Sequence, residues 1–351
     1  MTNLFTLDEL GWAAEFLRQL SPLELASLTP CRIAAVHRDR LEALGPGGPL
    51  WLLPPTGLST GEIAVGDWGL FDPAQAVASP PRLIRLLERR STLARRAAGT
   101  TARAQLIAAN VDTLFITTSC NADFNPARIE RYLALARAAG VVPVIVLTKA
   151  DLAAAPEDWQ ARAEAIDRRV VVVRLNALAP GDALAPWCGK GQTVALLGSS
   201  GVGKTTLGAA LTGQSLATAP IREDDAKGRH TTTGRHLLPM LAGGWLIDTP
   251  GMRELRLSAA QEGIAATFDE IEALAQACRF SDCRHAGEPG CAVQAAIAAG
   301  AVSAERLARW EKLRREDRHN SETLAEAHAR SRAFGRMVRG VKRDKARQRD
   351  A

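Results

Sequence analysis

"VIVLTKAD", residues 144–151, joins an apolar run to a polar tetrad. The run predicts a buried strand, and the tetrad T-K-A-D is of the kind that reads guanine in nucleotide-hydrolysing switches. In a Ras-like domain the phosphate-binding loop comes first in the chain and this tetrad follows well after it. Here a phosphate-loop pattern begins only at Gly198. Either the tetrad is accidental, or the domain has been cut and rejoined.

The phosphate-loop pattern is "GSSGVGKTT", residues 198–206, which fits G-x4-G-K-T between a predicted strand and a predicted helix. Its glycines let successive backbone N–H groups turn toward phosphate oxygens. Lys204 would place a positive charge against the β- and γ-phosphates, and Thr205 would offer a hydroxyl to Mg²⁺. The alternative is a simple glycine-rich turn. The nucleotide-binding residues expected here are Gly198, Ser199, Ser200, Gly201, Val202, Gly203, Lys204, Thr205 and Thr206.

Two segments that follow this loop could respond to the γ-phosphate. In "LIDTPG" (246–251), Asp248 could hold Mg²⁺ through water, and the Gly251 amide could bond the γ-phosphate only while that group is present. Between the two motifs lies "GRHTTTG" (228–234), a candidate switch segment whose Thr231 or Thr232 could complete the Mg²⁺ shell. An ordinary surface loop is the alternative for this second segment.

The tetrad would supply the choice of nucleotide. The Asp151 carboxylate can accept both the N1–H and the N2–H of guanine, whereas adenine presents an acceptor at N1 and would leave the carboxylate unpaired. Lys149 would pack its stem along the base, and Ala177, which follows Asn176 in "NAL", could offer its amide to the guanine O6. Thr148 stands where asparagine is more usual. We therefore expect the phosphate loop to lose the side-chain amide that braces it, which would loosen nucleotide binding.

The patterns on either side of these motifs divide the chain into four parts. From Val111 strands and helices alternate, which predicts a parallel sheet covered by helices. Earlier, four short runs of strand character suggest a small barrel, and an OB-like barrel is the natural interpretation. The runs are "CRIAAVH" (31–37), "PLWLL" (49–53), "EIAVGDWGLF" (62–71) and "RLIRLL" (82–87). The predicted division is a helical extension over 1–30, the barrel over 31–100, the nucleotide-binding domain over 101–260 and a helical domain with a basic tail over 261–351.

Three of the six cysteines crowd into one segment, Cys278-x4-Cys283-x-His285-x5-Cys291. Three thiolates and one imidazole can close a tetrahedral Zn²⁺ shell with no open position, which indicates a structural rather than a catalytic ion. A redox pair or free thiols are the alternatives. The remaining cysteines are isolated, and burial in a core is expected for them.

The order TKAD, NAL, GSSGVGKTT, threonine segment, DTPG resembles a circularly permuted Ras-like GTPase. Together with "QLIAANVD" (105–112), "IERYL" (129–133) and the cysteine cluster, it is similar to the ribosome small subunit-dependent GTPase A family (RsgA, also called YjeQ) over residues 30–317. A permuted sheet is physically permissible because its packing depends on which strands are neighbours and not on where the chain starts.

The resemblance implies a multidomain protein with an N-terminal OB-like β-barrel, a central circularly permuted Ras-like α/β P-loop GTPase domain and a C-terminal α-helical zinc-binding domain. It implies GTP or GDP with Mg²⁺, one structural Zn²⁺, and binding to the 30S ribosomal subunit and its 16S rRNA late in assembly. The rival interpretations are a P-loop ATPase or kinase with an accidental TKAD, and an RNA-binding scaffold with a vestigial nucleotide site.

One departure from Ras-like enzymes concerns the reaction itself. Met252 follows Gly251, where those enzymes carry the glutamine that orients the attacking water. A thioether cannot do this. We expect slow intrinsic hydrolysis that the small ribosomal subunit accelerates, with His230 and Arg229 as candidate groups supplied by the switch segment.

The composition permits an RNA partner without establishing one. The net charge is +6, and basic residues concentrate in 82–103 and in the tail from Arg306 onward. These could contact RNA phosphates, or form a solvated linker and a disordered tail. Trp51, Trp68 and Phe71 could stack on bases, although at strand spacing such residues usually belong to the core. With no secretory signal, and with apolar runs far short of the roughly 20 residues of a membrane span, a cytoplasmic monomer is expected.

Overall fold

Short strands broken by glycine and proline form the first part of the fold, and alternating strands and helices form the second. The structure is a computed structural model that describes residues 4–77, 80–96, 104–214, 235–248 and 260–321. Among the helices in these ranges, none is both long and apolar enough to cross a bilayer.

Two short helices precede a closed ring of strands. The helices are α1 (Ala14–Leu17) and α2 (Pro22–Ser27). The strands are β1 (Thr29–Val36), β2 (Leu41–Gly45), β3 (Gly48–Leu52), β4 (Trp68–Phe71) and β5 (Leu83–Leu86). The antiparallel pairs are β1–β2, β2–β3, β1–β4 and β4–β5. A parallel bridge between Leu53 and Arg82 joins the end of β3 to the start of β5, so the ring closes in the order β1-β2-β3-β5-β4.

Alternate side chains of these strands point inward, as expected for a small barrel. The inward-facing buried cluster consists of Cys31, Ile33, Leu41, Ala43, Leu52, Ile63, Phe71 and Leu83. Phe71 is therefore a core residue, and Trp68 is only 1% exposed. Trp51, at 42% exposure, is the one aromatic of the three predicted as stacking platforms that remains accessible. The sequence did not predict β2, and within 62–71 only Trp68–Phe71 forms a strand.

A hairpin leads from the barrel to the second part of the fold. It consists of β6 (Thr92–Arg96) and β7 (Ala104–Ala109), which pair antiparallel. Neither strand was predicted from the sequence.

A six-stranded sheet follows. Its strands are β8 (Thr113–Ser119), β9 (Val142–Thr148), β10 (Val171–Arg174), β11 (Thr193–Leu197), β12 (His236–Pro239) and β13 (Trp245–Asp248). The strands lie in the order β10-β9-β8-β11-β13-β12, parallel throughout except for β12 at the edge. Its helices are α3 (Pro126–Ala138), α4 (Pro156–Glu164), α5 (Ala185–Cys188) and α6 (Lys204–Thr212). The predicted parallel sheet covered by helices is confirmed, with β12 as an unpredicted antiparallel addition.

The order of strands shows how the sheet has been rearranged. β11 lies in the middle, while β8 to β10 precede it in the chain and extend the sheet to one side. β13 and β12 follow it and extend the sheet to the other side. Joining the end of β13 to the start of β8, and cutting the chain before β11, would restore an ordinary α/β order. From β8 the chain continues to strands on one side of the sheet, and from β11 it continues to strands on the other side. Ligands of α/β sheets bind at such a topological switch point, beyond the carboxyl ends of the strands.

The barrel and the sheet meet at Arg32 of β1. A pairing between Ala35 and His236 joins β1 to β12, so the strands form one continuous path. The Arg32 guanidinium is buried and donates to the Leu10 carbonyl at 2.6 Å and to the Thr193 hydroxyl at 2.7 Å. Burial lowers the pKa of Arg32 to about 10, which still leaves it charged at neutral pH. This charge ties the N-terminal extension and barrel to β11.

Four helices complete the described chain: α7 (Gln261–Thr267), α8 (Asp269–Gln276), α9 (Ala292–Ala298) and α10 (Ala304–Ser321). α7 packs directly on α3. A Cβ atom at Gly263 would lie 2.0 Å from the Ala134 carbonyl oxygen, so only glycine permits this approach. Residues 322–351, including the basic tail, lie outside the described ranges.

Candidate functional site

The carboxyl ends of the parallel strands gather the predicted site residues at one edge of the sheet. β9 ends at Thr148 and continues into Lys149 and Asp151. β10 leads to Asn176 and Ala177, β11 leads into the loop 198–203, and β13 ends at Asp248. Motifs spread over about a hundred residues therefore meet in space.

The loop 198–203 crosses closely over the neighbouring strand before it enters α6. A Cβ atom at Gly198 would lie 2.2 Å from the Thr117 carbonyl oxygen, so the first glycine of the motif is a steric necessity. Lys204 begins α6, and its Nζ donates to the carbonyls of Gly198 at 2.8 Å and Ser199 at 2.5 Å. The ammonium is thus held against the loop, while Thr205 and Thr206 occupy the first turn of the helix, where an anion is favoured.

Thr148 corrects one expectation from the sequence. Its hydroxyl, fully buried, donates to the Val202 carbonyl in the middle of the loop at 2.6 Å, with the Thr118 carbonyl farther away at 3.1 Å. The loop therefore does not lose its brace together with the amide, because a threonine hydroxyl at this position reaches the loop backbone directly. The expected loosening of nucleotide binding stays a prediction.

The base-reading segments touch the same loop. A Cβ atom on Gly203 would lie 3.5 Å from the Ala177 Cβ and 3.6 Å from the Thr148 Oγ1. Asn176 accepts the Leu178 N–H at 2.9 Å and so fixes the turn that carries Ala177. Lys149 adopts a left-handed backbone with φ 55°, which turns the chain sharply at the strand end. The Asp151 side chain is exposed at this edge.

Asp248 lies at the end of β13, half-buried. Burial raises the pKa of its carboxyl above the ordinary value, and His236, directly opposite on β12, partly offsets this. A carboxylate that has lost part of its hydration gains from a nearby cation.

The remaining predicted residues of the reaction lie outside the described ranges. These are Gly251, Met252, Arg229, His230, Thr231 and Thr232.

Arg128 also reaches the candidate site, although no motif in the sequence predicted this. It lies in the first turn of α3, and its Nη1 donates to the Ser199 hydroxyl at 2.8 Å. The signal available in the sequence was its place just after the Asn125-Pro126 helix start, at the carboxyl edge of a strand.

The cysteine cluster forms a compact ligand set. The Sγ atoms of Cys278, Cys283 and Cys291 and a ring nitrogen of His285 all lie within 4.8 Å of one another. The His285 Nδ1 is 3.6 Å from the Cys278 Sγ and 3.5 Å from the Cys291 Sγ, and these two sulfurs are 3.9 Å apart. Ligands at about 2.3 Å from a tetrahedral ion are separated by about 3.8 Å, so the spacing fits a single ion of zinc size.

The electrostatics of the cluster also favour a cation. Burial alone would raise the pKa of the Cys278 thiol, but the backbone N–H groups of Val293 and Ala292, with the neighbouring thiols of Cys291 and Cys283, lower this pKa by more. The pKa of the Cys283 thiol is raised to about 11, since burial and the two neighbouring sulfurs outweigh a bond from the His285 backbone. Sulfurs this close compete for negative charge, and a divalent cation would relieve that competition.

The three other cysteines, Cys31, Cys120 and Cys188, are buried as expected.

Part of the basic stretch over 82–103 is already engaged within the fold. Ion pairs join Arg85 to Glu24 at 2.7 Å, Arg89 to Asp67 at 2.6 Å and Arg90 to Asp112 at 3.0 Å. These contacts favour a structural role for these three arginines.

Comparison with known proteins gives consistent matches. The family model described as RsgA GTPase matches residues 86–258. The small ribosomal subunit biogenesis GTPase RsgA of Mesorhizobium japonicum is 53% identical over 90% of this chain and 91% of its own. RsgA 2 of Vibrio vulnificus is 48% identical over 97% of this chain and 96% of its own. The crystal structure of YjeQ from Thermotoga maritima, 23% identical, aligns with a TM-score of 0.60 over 82% of this chain and 97% of its own.

The rearranged sheet, the loop at its switch point and the tetrad beside that loop define a circularly permuted P-loop GTPase. The structure of YloQ, itself described as a circularly permuted GTPase, aligns with a TM-score of 0.56 at 21% identity, over 84% of this chain and 96% of its own. By its sequence identity to curated relatives over nine-tenths of its length, the chain belongs to the RsgA GTPase family.

Proposed function

We propose that this GTPase binds the small ribosomal subunit and acts as a GTP-gated factor in its late assembly, in the cytoplasm and as a monomer. The carrying observation is that the tetrad strand contacts the phosphate loop through Thr148 on Val202, and that the NAL turn lies beside the same loop at Gly203. Base selection and phosphate binding are thus parts of one site. The names of the relatives supply the ribosomal context.

In this proposal each strand end has one task. The loop from Gly198 to Lys204 binds the phosphates, and Thr205 with Asp248 holds Mg²⁺, supported by the partly dehydrated Asp248 carboxylate. Asp151 selects guanine, while Lys149 and Ala177 contact the base. Thr231 or Thr232, Gly251 and His230 are proposed for the γ-phosphate side. Mg²⁺ would supply charge neutralisation for the transferred phosphoryl group.

The cluster Cys278, Cys283, His285 and Cys291 is proposed to hold one structural Zn²⁺. Three thiolates with one imidazole are a donor set that zinc prefers, and the set leaves no position for substrate. Gln294 supports the site from α9, where its backbone N–H donates to the Cys291 Sγ at 3.4 Å and its side chain donates to the His285 carbonyl.

The barrel over 31–100 is proposed to be an OB-fold that contacts 16S rRNA. Its closed order β1-β2-β3-β5-β4 supports this, as does Trp51 on its outer face. Arg40 stacks over the Trp51 ring at 4.8 Å, and the His37 ring is 5.4 Å away. An exposed aromatic ring flanked by a guanidinium group and an imidazole ring suits stacking against an unpaired base.

The domain division follows from this assignment, with the permuted GTPase domain over 101–260 and the zinc-binding helices with the basic tail over 261–351. Because of the permutation, the segment that follows Gly251 runs directly into the C-terminal helices. Loss of the γ-phosphate could therefore re-aim those helices relative to the barrel.

Exchange of the base-reading carboxylate tests the nucleotide assignment. Asp151→Asn should weaken GTP binding by about two orders of magnitude or more, which is the order of the penalty for an unpaired polar group in a specific site. The variant should also bind xanthosine triphosphate more tightly than the wild type does. Titration of both nucleotides against wild type measures this. Exposed Asp182, with Asp182→Asn, is the matched control. A P-loop ATPase or kinase would instead bind ATP tightly, and Asp151→Asn would leave its nucleotide preference unchanged.

A second variant tests the location of the active site. Multiple-turnover GTP hydrolysis that persists in Lys204→Ala would mean that the active site lies elsewhere.

A further inference from the structure

Helix α3 begins at the phosphate loop. The Asn125 side chain caps it by accepting the Arg128 N–H at 3.1 Å, and Pro126 occupies its first position. The cap fixes the backbone from which Arg128 extends to the Ser199 hydroxyl at 2.8 Å. Both side chains are half-buried, so the charged hydrogen bond is partly shielded from water.

Two and three residues further along, the same helix is fixed to the C-terminal helices. The Glu130 carboxylate is fully buried and accepts from Arg306 Nη1 at 2.9 Å and from Arg309 Nε at 2.6 Å, both on α10. Arg131 adds a bond from its Nη1 to Glu316 at 2.6 Å.

The two attachments lie only two residues apart on α3, with buried Ile129 between them, so they move as one unit. The residues from Tyr132 to Ala136 are buried, and α7 approaches the Ala134 carbonyl so closely that only Gly263 fits there. A shift of α10 must therefore either break the pairs at Glu130, which is costly for a buried carboxylate, or move α3 with it. A movement of about 1 Å at Arg128 would be enough to lose its bond to Ser199.

We propose that Arg128 is a positioning residue for the phosphate loop, and that α3 couples this loop to the C-terminal helices through Glu130. The inference rests on the GTPase activity and not on the ribosomal role. It provides a route separate from the segment after Gly251, and it is built entirely from described residues. Because coupling is reciprocal, nucleotide in the loop would also favour the docked position of α10.

The first test is a double-mutant cycle on the release of N-methylanthraniloyl-GDP from the full chain. Arg128→Ala and Ser199→Ala should each speed release roughly three- to tenfold, and the double variant should be no faster than the faster single one. Arg168→Ala is the matched control, since this exposed arginine lies just before β10, near the opposite edge of the sheet. Multiplicative effects in the double variant, or unchanged release from Arg128→Ala, would overturn the positioning role.

The second test loosens the attachment of α3 to α10 at Glu130. Arg309→Gln removes one cation from Glu130 while Arg306 remains, so the buried carboxylate keeps a partner. It should speed release about two- to threefold in the wild-type background and leave release unchanged in the Arg128→Ala background. Two results would show that the ion pairs at Glu130 only stabilise the fold. One is a lower melting temperature of Arg309→Gln with a wild-type rate of nucleotide release. The other is an equal increase in the release rate in both backgrounds.

The two proposals fail in different ways. If the wild type bound no guanine nucleotide, the proposed function would fall. If the nucleotide bound normally and the effects of the single substitutions on its release rate multiplied in the double variants, only the coupling through α3 would fall.

Discussion

Thr148 illustrates how a single hydroxyl can replace a larger side chain in the site. It is buried at the end of β9, and its one proton is directed to the Val202 carbonyl in the phosphate loop. The residue type was visible in the sequence, but the 2.6 Å contact depends on how closely β9 and the loop approach, which no pattern in the chain reports. Arg128 was missed for the same reason, because its partner Ser199 is 71 residues away.

Removal of this hydroxyl should loosen the loop. Thr148→Val keeps the shape but leaves the Val202 carbonyl without its buried donor, so we expect release of a fluorescent GDP analogue to quicken roughly three- to tenfold. Stopped-flow displacement by unlabelled GDP measures the rate. Thr148→Ser retains the hydroxyl and should stay near wild type. Equal rates for Thr148→Val and wild type would show that the brace does not hold the loop.

Among the elements, those with strong periodicity or a clear start signal followed the sequence. β9 and β11 lie where strands were predicted before TKAD and before the phosphate loop, and α3 begins at Asn125-Pro126, a pair typical of helix starts. The short strands β2 and β12 and the hairpin β6–β7 were not predicted, because their hydrogen bonds come from partners elsewhere in the chain and they carry little periodicity of their own.

The joint between α3, β10 and α8 predicts a dependence on acid. Asp167 accepts from Arg137 at 2.7 Å and from Arg169 at 3.0 Å, and Arg169 also pairs with Asp269 on α8. Burial alone would raise the pKa of Asp167, but the bonds from Arg169 and Arg137 outweigh it and lower the pKa to about 2. The pairing therefore stabilises the fold above about pH 4, and this stability is lost as the pH falls toward 2.

Asp167→Asn should remove that dependence. At neutral pH the variant should lose about 1–2 kcal/mol of unfolding free energy after allowance for solvent screening. The difference from wild type should shrink as the pH falls from about 4 to 2. Urea unfolding at a series of pH values measures this, with Asp182→Asn as the exposed control. A difference that stays constant over the whole series would contradict the assigned pairing.

For the whole molecule, the cysteine cluster and the permuted sheet were the features that the sequence predicted best. Both depend on residue types at fixed local spacing or on motif order, which are properties of the chain itself. The closure of the barrel, the buried Arg32 junction and the docking of α10 on α3 depend on distant contacts, and they became visible only in three dimensions.

Metal content tests the C-terminal assignment. The purified chain should carry one zinc ion. Cys283→Ser should lower the zinc content by about an order of magnitude or more, and it should lower the melting temperature measured from the helical circular-dichroism signal. Cys188→Ala, at an isolated buried cysteine, should keep full zinc whatever it does to stability. Full zinc in Cys283→Ser, or iron in place of zinc in the wild type, would contradict the proposed site.

Multiple-turnover GTP hydrolysis, with and without purified 30S subunits, addresses the function of the whole molecule most directly. Since Met252 stands where a water-orienting glutamine is expected, the chain alone should turn over slowly. Addition of 30S subunits should accelerate it at least about tenfold, whereas 50S subunits should not, and Lys204→Ala should abolish both rates. The same slow rate with and without 30S subunits, or equal hydrolysis of ATP, would contradict a GTP-gated factor that acts on the small subunit.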